Sequence, residues 1–578
     1  MIMAESLQQE LEDALRTTDS SSCDYLGLIA ELARKKEASG VAWQEYIHRL
    51  YDKVHEEIVF NSNRPTSQVS FGTSGWRGIL GKDLFCKSVA QVSLAIVEMY
   101  KDLETQEELK ELLGVENFAE ACQKGCVIGF DNRFNGDVLA RVAVEVFSRE
   151  GIRVFYAGES TTGVLSAAVL QLQAAFSINF TPSHNPLEYG GLKFNAYDGG
   201  PAASEITRCI TQKTQKIIEE NRLPGGFSVG APLPEKMNEA VEYIDSLELW
   251  KKHVIMNQTV HGIRYAQLIE RFENNDDLVV VIDSVHGASR LHIRKIFNDT
   301  HSPRLILLRD NKDVTFGGVA PEPSSENMIT TVATLQSRKE TFKLGAIIDP
   351  DGDRIRFTDG TVEISMNQFG AMAYHFLHEY KNKKGMVAKT VASSNLANSL
   401  ADQFGEQVYE PRVGFKEFKP VINKALVCFE ESDGISIIGH TPEKDAYIGL
   451  LLALDIVLTT GKNLGEYLHE IEENFGFFYP DRGGVTVSQQ GEELQVALAG
   501  LAKYSKGTFV DIGGEKKKIA KVIDIDGRKI LFDDGSWLMI RPSGTEPKVR
   551  FYVESRTADG TEPLIRAAEG MLEEVGLL

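Results

Sequence analysis

The sequence predicts a multidomain α/β protein led by a helical extension. Three observations predict it. Apolar strand-like runs ending in polar loops alternate with amphipathic helical stretches along most of the chain. At 578 residues the chain is too long for one hydrophobic core and splits into roughly three to five domains. After about residue 476 the pattern changes to alternating strands, turns and one closing helix.

The bulk numbers narrow the function classes. A composition of 42% hydrophobic and 25% charged residues is that of a soluble globular protein. The 62 Lys and Arg against 83 Asp and Glu give a net charge of −21, which disfavours an electrostatic nucleic-acid binder. It leaves room for a local basic pocket that takes an anionic substrate. Cys23, Cys86, Cys122, Cys126, Cys209 and Cys428 form no zinc pattern and read as free thiols in a reducing compartment. The first residues carry no basic-then-apolar signal, and no run of about 18 apolar residues spans a bilayer. A cytoplasmic location without a membrane partner is expected.

Residues 1–60 read as helices. Leu7, Leu11 and Leu15 repeat every four residues, and Trp43, Ile47, Leu50 and Val54 form a second stripe, which makes this a packing extension. Phe71-Gly-Thr-Ser-Gly-Trp-Arg-Gly-Ile79 is a glycine-rich loop in which Arg77 can meet a phosphate with a bidentate fork.

Strand 126–131, helix 136–151, strand 152–157, helix 163–172 and strand 174–180 then imply a parallel layer. That last strand runs into Phe180-Thr-Pro-Ser-His-Asn-Pro186. Pro182 and Pro186 restrict the residues before them, so Ser183 is held in a stiff loop at a strand end, where α/β proteins place reactive groups. Asp131 and Arg133 end the first strand of this layer, near that loop.

A boundary is placed near residue 236, after the breaks at Pro224-Gly-Gly and Pro232-Leu-Pro. A helix over 254–272, strands 278–283, 305–308 and 344–348, and the loop Asp349-Pro-Asp-Gly-Asp-Arg354 follow. Asp349, Asp351 and Asp353 at spacing two, on a backbone stiffened by Pro350 and turned by Gly352, converge on one hard cation, with Mg²⁺ the best match. An EF-hand is excluded, because Arg354 stands at the sixth position and Gly360 at the twelfth.

The alternation restarts near residue 361, with strands 385–391, 408–413 and 425–429. The last of these ends in Glu430-Glu-Ser-Asp-Gly434, whose carboxylates and hydroxyl suit sugar hydroxyls. Pro442-Glu-Lys-Asp445 precedes the apolar helix 446–459, where Asp455 and modest length indicate buried core. In the final piece Arg541, Ser543, Gly544, Thr545, Lys548 and Arg550 place cations, hydroxyls and a bare amide in one turn, an anion cradle.

One stiff serine, one cation site, one sugar-hydroxyl loop and one phosphate cradle, all at strand ends, suit phosphoryl transfer on a phosphosugar in a shared cleft. In this order the loops resemble those of the α-D-phosphohexomutase superfamily, from about residue 68 onward. The resemblance implies four domains around a central cleft: three related α/β domains with mixed sheets and a C-terminal α+β domain. The expected divisions are 1–60 (extension), 61–235, 236–360, 361–475 and 476–578.

The resemblance also implies roles. Ser183 is the phosphoserine, and with Asp349, Asp351 and Asp353 it completes the Mg²⁺ site. Arg77, His184 and Lys193 line the reacting end, with Arg354 beside them. Lys444 is the first candidate for proton transfer and Lys193 the second. Glu430 and Ser432 hold sugar hydroxyls, and Arg541, Ser543, Gly544, Thr545 and Arg550 hold the phosphate that does not react. A hexose 1,6-bisphosphate is the expected intermediate and activator, and the expected assembly is a monomer or homodimer. Glu-Glu-Ser-Asp-Gly is closer to the glucose-preferring loop than to the dual-specificity form, with Asp433 in place of an aromatic residue. Glucose is therefore expected ahead of mannose, with a dual-specificity mutase and a hexose bisphosphate synthase as the alternatives.

Overall fold

The computed structural model describes residues 11–16, 23–39, 43–72, 75–232, 241–543 and 548–578. Four sheets follow one another along the chain. The first orders its strands β1 (Trp76–Ile79), β5 (Tyr189–Ala196), β4 (Phe176–Phe180), β2 (Cys126–Phe130), β3 (Val154–Glu159) and β6 (Val241–Tyr243). The second orders β11 (Glu363–Ile364), β10 (Ile355–Thr358), β9 (Phe342–Ile348), β7 (Leu278–Asp283) and β8 (Leu305–Leu308). The third orders β13 (Val408–Tyr409), β12 (Val387–Lys389), β14 (Val427–Glu430) and β15 (Gly434–Ile437).

These three sheets are mixed in the same way. Each has a parallel centre, and its last parallel strand turns back as an antiparallel neighbour: β4 into β5, β9 into β10, β14 into β15. The three turns are the serine loop, the aspartate loop and the Glu430–Gly434 loop. The fourth sheet is antiparallel throughout, in the order β16 (Tyr479–Thr486), β21 (Lys548–Ser555), β20 (Trp537–Pro542), β19 (Arg528–Phe532), β18 (Glu515–Ile523) and β17 (Phe509–Ile512). The fourth candidate loop again links two paired strands, β20 and β21.

The elements form for local reasons. Strand β7 is apolar on both faces and fully buried, as a central parallel strand must be. Helix Ala446–Thr460 is apolar on all sides because it is enclosed, and Asp445 caps it by accepting from the Tyr447 amide at 2.8 Å. Among the described residues no single helix is long and apolar enough to cross a membrane. All six cysteines are free.

The structure departs from the expected divisions at two edges. Strand β6 pairs with β3, so the first sheet reaches past residue 236, and β11 pairs with β10, so the second reaches past 360. The Pro224-Gly-Gly break is a loop inside the first unit. Backbone pairing, rather than composition, sets where a sheet ends. The helix expected over 254–272 is three pieces, Ser246–Met256, Gln258–His261 and Tyr265–Glu273, interrupted where Gly262 takes φ +83°.

The cores follow the same grouping. One apolar cluster joins the N-terminal helices to the first domain, a second runs through the second and third domains together, and a third belongs to the fourth domain.

Candidate active site

The stretch after the serine loop is a strand. Tyr189–Ala196 returns antiparallel to β4, with Lys193 opposite Asn179. Two glycines allow it: a Cβ at Gly191 would fall on the Thr181 carbonyl, and one at Gly190 on Leu80 and Leu84. The loop between the strands is held tightly. Ser183 takes φ +58°, an unusual value for a residue with a side chain. Its amide donates to Thr181 Oγ1 at 2.8 Å, and Thr181 Oγ1 donates to Asp131 Oδ2 at 2.7 Å. Arg133, buried, donates to the carbonyls of Ser183 (2.6 Å) and Pro186 (2.7 Å). Ser183 itself is only 1% exposed, and its hydroxyl donates to Asp349 Oδ2 at 3.0 Å, across the boundary between the first two domains.

Asp349, Asp351 and Asp353 are buried with oxygens within 4.8 Å of one another. Gly352 makes the turn at φ +63°, where a Cβ would meet Thr161 at 2.6 Å. Asp349 Oδ1 accepts the amides of Asp353 (3.0 Å) and Arg354 (3.1 Å), folding the loop over its own carboxylate. Asp351 Oδ1 and Asp353 Oδ1 have no hydrogen-bond partner. Buried carboxylate oxygens left in this way, in an all-oxygen cluster, fit a divalent cation.

Lys193 supplies the nearest positive charge, with Nζ 2.5 Å from Asp351 Oδ2 and 2.7 Å from Asp353 Oδ2. Thr162 Oγ1 also donates to Asp351 Oδ2, at 2.7 Å, and accepts from Asn179 Nδ2 at 3.0 Å.

The electrostatics follow from burial and charge. Burial, then Asp351 and Asp353, push the Asp349 carboxyl well above the usual range. Burial acts the same way on Asp353, but Lys193, Lys444 and Arg354 outweigh it and hold that carboxyl well below the range. Burial would lower the Lys193 and Lys444 amines. The facing carboxylates, Asp351 and Asp353 for Lys193 and Asp353, Glu443 and Glu430 for Lys444, raise both instead. Both are therefore ammonium ions in this state of the site. His184 is pushed well below its ordinary value by burial and by Arg354 and Arg77, so its imidazole is neutral. Arg77 donates to Asn185 Oδ1 at 2.7 Å, which turns it toward the serine loop.

The sugar-loop candidate adjoins this cluster. Lys444 Nζ lies 3.4 Å from Asp353 Oδ2 and 3.3 Å from Glu443 Oε1. Its stem crosses Gly434, where a Cβ would collide with it. Glu430 is buried, and burial raises its carboxyl against the pull of Lys444. Asp433, at φ +71°, does not reach for a ligand: it accepts from Arg356 Nη2 at 2.8 Å, and its carbonyl accepts the Ile355 amide at 2.9 Å. It ties the sugar loop to the strand leaving the aspartate loop.

The anion-cradle residues lie on the fourth sheet. Arg541 and Arg550 are cross-strand partners on β20 and β21, and the Ser543 amide closes the turn on the Lys548 carbonyl at 2.8 Å. Gly544 and Thr545 lie outside the described residues. The sequence reading missed Arg482 on β16, opposite Tyr552 and on the same face as both arginines; it donates to the Glu431 carbonyl at 3.4 Å. It also left Arg133, Thr162, Asn179 and Thr181 without a role. Only Arg133 carried a sequence signal, its place at a strand end beside the serine loop.

Four loops with this chemistry on this fold define an intramolecular phosphotransferase. Four family models match in succession: phosphoglucomutase/phosphomannomutase alpha/beta/alpha domain I over residues 68–221, domain II over 263–362, domain III over 365–475, and the C-terminal domain over 493–566. The chain belongs to the phosphoglucomutase/phosphomannomutase family of the α-D-phosphohexomutase superfamily.

Relatives include a phosphoglucomutase of Staphylococcus haemolyticus, 26% identical over 88% of this chain and 95% of its own. A phosphoglucomutase/phosphomannomutase of Thermococcus kodakarensis is 24% identical over 87% and 98%. A phosphoglucosamine/phosphogalactosamine mutase of Sulfurisphaera tokodaii is 23% identical over 87% and 99%. The open form of the Paramecium phosphoglucomutase pp63/parafusin shares the fold, with a TM-score of 0.66 at 20% identity over 89% of this chain and 96% of its own.

Proposed function

We propose that this enzyme interconverts glucose 1-phosphate and glucose 6-phosphate through phosphoserine 183 and a glucose 1,6-bisphosphate intermediate. The observation that carries the proposal is the Ser183 hydroxyl on Asp349, inside a knot of three buried carboxylates ringed by Lys193, Arg354, Arg77 and Lys444. Asp349, Asp351 and Asp353, with the phosphoryl group on Ser183, would hold Mg²⁺, which would supply neutralisation of phosphoryl charge.

The chain's own residues do the rest. Arg77, Arg354 and Lys193 offset charge on the phosphoryl group at Ser183. In the unphosphorylated state Lys444 is an ammonium ion, ready to give its proton to the sugar oxygen as the bisphosphate returns a phosphoryl group to Ser183. In the opposite transfer the same amine takes a proton from the attacking sugar hydroxyl. Glu430 and Ser432 hold sugar hydroxyls, and Arg541, Arg550, Ser543, Gly544 and Thr545 hold the phosphate that does not react.

Glucose is placed first because the sugar loop carries Glu430 and Ser432 in a Glu-Glu-Ser context, while Asp433 is turned back onto Arg356. The relatives' names span several sugars at similar identity, so the substrate needs a direct test. Glucose 1-phosphate and mannose 1-phosphate are assayed side by side with Mg²⁺ and a trace of the matching bisphosphate. Fast turnover of glucose alone supports the proposal, and equal rates make the enzyme a dual-specificity mutase. Failure of both, with Ser183 phosphorylated, removes the glucose assignment.

A further inference from the structure

The two helices Tyr25–Ser39 and Gln44–Phe60 precede the first family-matched residue, yet they meet the site's supports on both sides of the domain boundary. The second helix touches the turn that carries Arg133. Tyr51 stacks on Phe134 with ring centroids 4.2 Å apart and planes at 28°, and His55 Nδ1 lies 2.7 Å from Asn135 Nδ2. Arg133 lies between these two contacts and the serine loop, where it holds the carbonyls of Ser183 and Pro186.

The first helix packs on the turn Phe316–Gly318, which belongs to the second domain. Gly318 takes φ +79°, and a Cβ there would stand 2.7 Å from the Arg34 amide nitrogen. Phe316 from the same turn lies in the core shared by the helices and the first domain, and its ring lies 4.5 Å from the Arg133 guanidinium. Beside Arg133, Asn132 Nδ2 donates to the carbonyls of His286 (2.7 Å) and Asp313 (3.1 Å) in the second domain. Ser183 stands on one domain and the three aspartates on the other, so this contact acts with the direct links between them to set their separation.

We propose that the helices Tyr25–Ser39 and Gln44–Phe60 form an intramolecular clamp that sets the serine loop against the aspartate loop, with Tyr51 as its main positioning residue. Tyr51 holds Phe134 and so the turn of Arg133, and Arg133 holds the serine loop. The Phe316–Gly318 turn fixes the other jaw. The catalytic consequence rests on the phosphoserine reading above, whereas the ordering of the loop does not.

The test uses the full chain with Tyr51→Ala, and with Tyr51→Leu as a milder variant that keeps much of the volume without the ring. Hydrogen–deuterium exchange is followed at residues 131–136 and 181–188, and kcat and KM are measured separately. Exchange at both loops should rise on the order of tenfold, and kcat should fall by a similar factor with KM within about twofold, because a small misplacement of reacting groups acts on the chemical step. Tyr51→Phe should restore both, since the Tyr51 hydroxyl has no hydrogen-bond partner. Leu113→Ala, a core substitution elsewhere in the first domain, serves as a control for lost stability alone.

Wild-type loop exchange and wild-type kcat in both Tyr51→Ala and Tyr51→Leu overturn the clamp, as does an equal kcat loss in Leu113→Ala. If the wild-type protein turns over neither sugar phosphate, the proposed function fails, and the exchange result still decides for or against the clamp.

Discussion

The two ends of the proposed substrate site are attached to the molecule in different ways. At the proposed reacting end, the first and second domains are joined by the residues of the site themselves. Ser183 reaches Asp349, Lys193 reaches Asp351 and Asp353, and the Thr162 amide donates to the Asp351 carbonyl at 2.7 Å. At the end proposed to hold the phosphate, the arginines ride on a sheet with its own core. That domain meets the third through a joint in which Val391 and Ala392 share a buried cluster with Trp537, Met539 and Tyr552. Lys529 donates to the Val391 carbonyl at 2.7 Å and lies 4.0 Å from the Trp537 ring, while Glu554 accepts from Trp537 Nε1 at 2.7 Å and from the Asn395 amide at 3.0 Å. Burial, then Lys389, push the Lys529 amine down to about 8. Glu410 resists the rise that burial favours because Lys389 and Lys529 hold it at about 2. On the proposed function, the end that keeps Ser183 beside the cation is the one whose domains are fused. A site that must grip a phosphate in two substrate orientations can leave the gripping domain on a joint.

The comparison breaks most visibly at Ser183, the proposed nucleophile. Ser183→Ala should lower turnover at least about a thousandfold while leaving the fold intact, because among the described residues no other hydroxyl stands on Asp349. A wild-type rate in that variant removes the phosphoserine reading. Next comes Lys193→Met, which leaves Asp351 and Asp353 buried without their nearest cation. In EDTA it should lose about 3–5 kcal/mol of stability in urea titrations, the cost of a broken buried ion pair. Millimolar Mg²⁺ should recover much of that loss, and an equal loss with and without the ion speaks against a cation site there. On the other side of the comparison, Arg541→Ala removes a cation from the cradle and should cost about 2–3 kcal/mol of phosphate binding. It should appear as a KM raised some thirty- to a hundredfold with a smaller change in kcat. A fall in kcat alone would place Arg541 with the reacting groups instead.

How much of this was legible in the sequence depended on whether the signal was local. Strands Leu278–Asp283 and Leu305–Leu308 were read to the residue because an unbroken apolar run bounded by polar residues is a local pattern. The aspartate loop was legible for the same reason, since three ligands and the turning glycine sit within five positions. The return strands Tyr189–Ala196, Ile355–Thr358 and Gly434–Ile437 were not read. Each is specified by the strand it folds back upon, as the glycines that let β5 pass the serine loop show. Long-range partners were equally hidden. Thr162 meets Asp351 across 189 positions, and Arg356 meets Asp433 across 77. Neither spacing carries a signal in one chain. Asp433 shows the limit well: it stood out as a replacement for an aromatic residue, yet only the structure showed that it points back at Arg356.

The smallest effect tests whether the fourth domain is separate in stability as well as in packing. His253, His261, His292 and His375 lie in the second and third domains, and burial is the leading cause that lowers each, to about 4, 3, 4 and 4. A histidine depressed on folding resists the proton that the unfolded chain accepts near its ordinary value of 6.5. The unfolded state then binds more protons in that window, so stability is full above about pH 6.5 and falls as the pH drops toward 4. Between pH 6.5 and 5.5 each such histidine removes at most about 1.4 kcal/mol. Residues 476–578 contain no histidine. Calorimetry over this range should show the transition of the second and third domains moving down while that of the fourth holds its place. If all the heat stays in one transition that moves as a unit, the joint at Lys529 and Trp537 couples the domains strongly, and the two ends of the site differ only in what they bind.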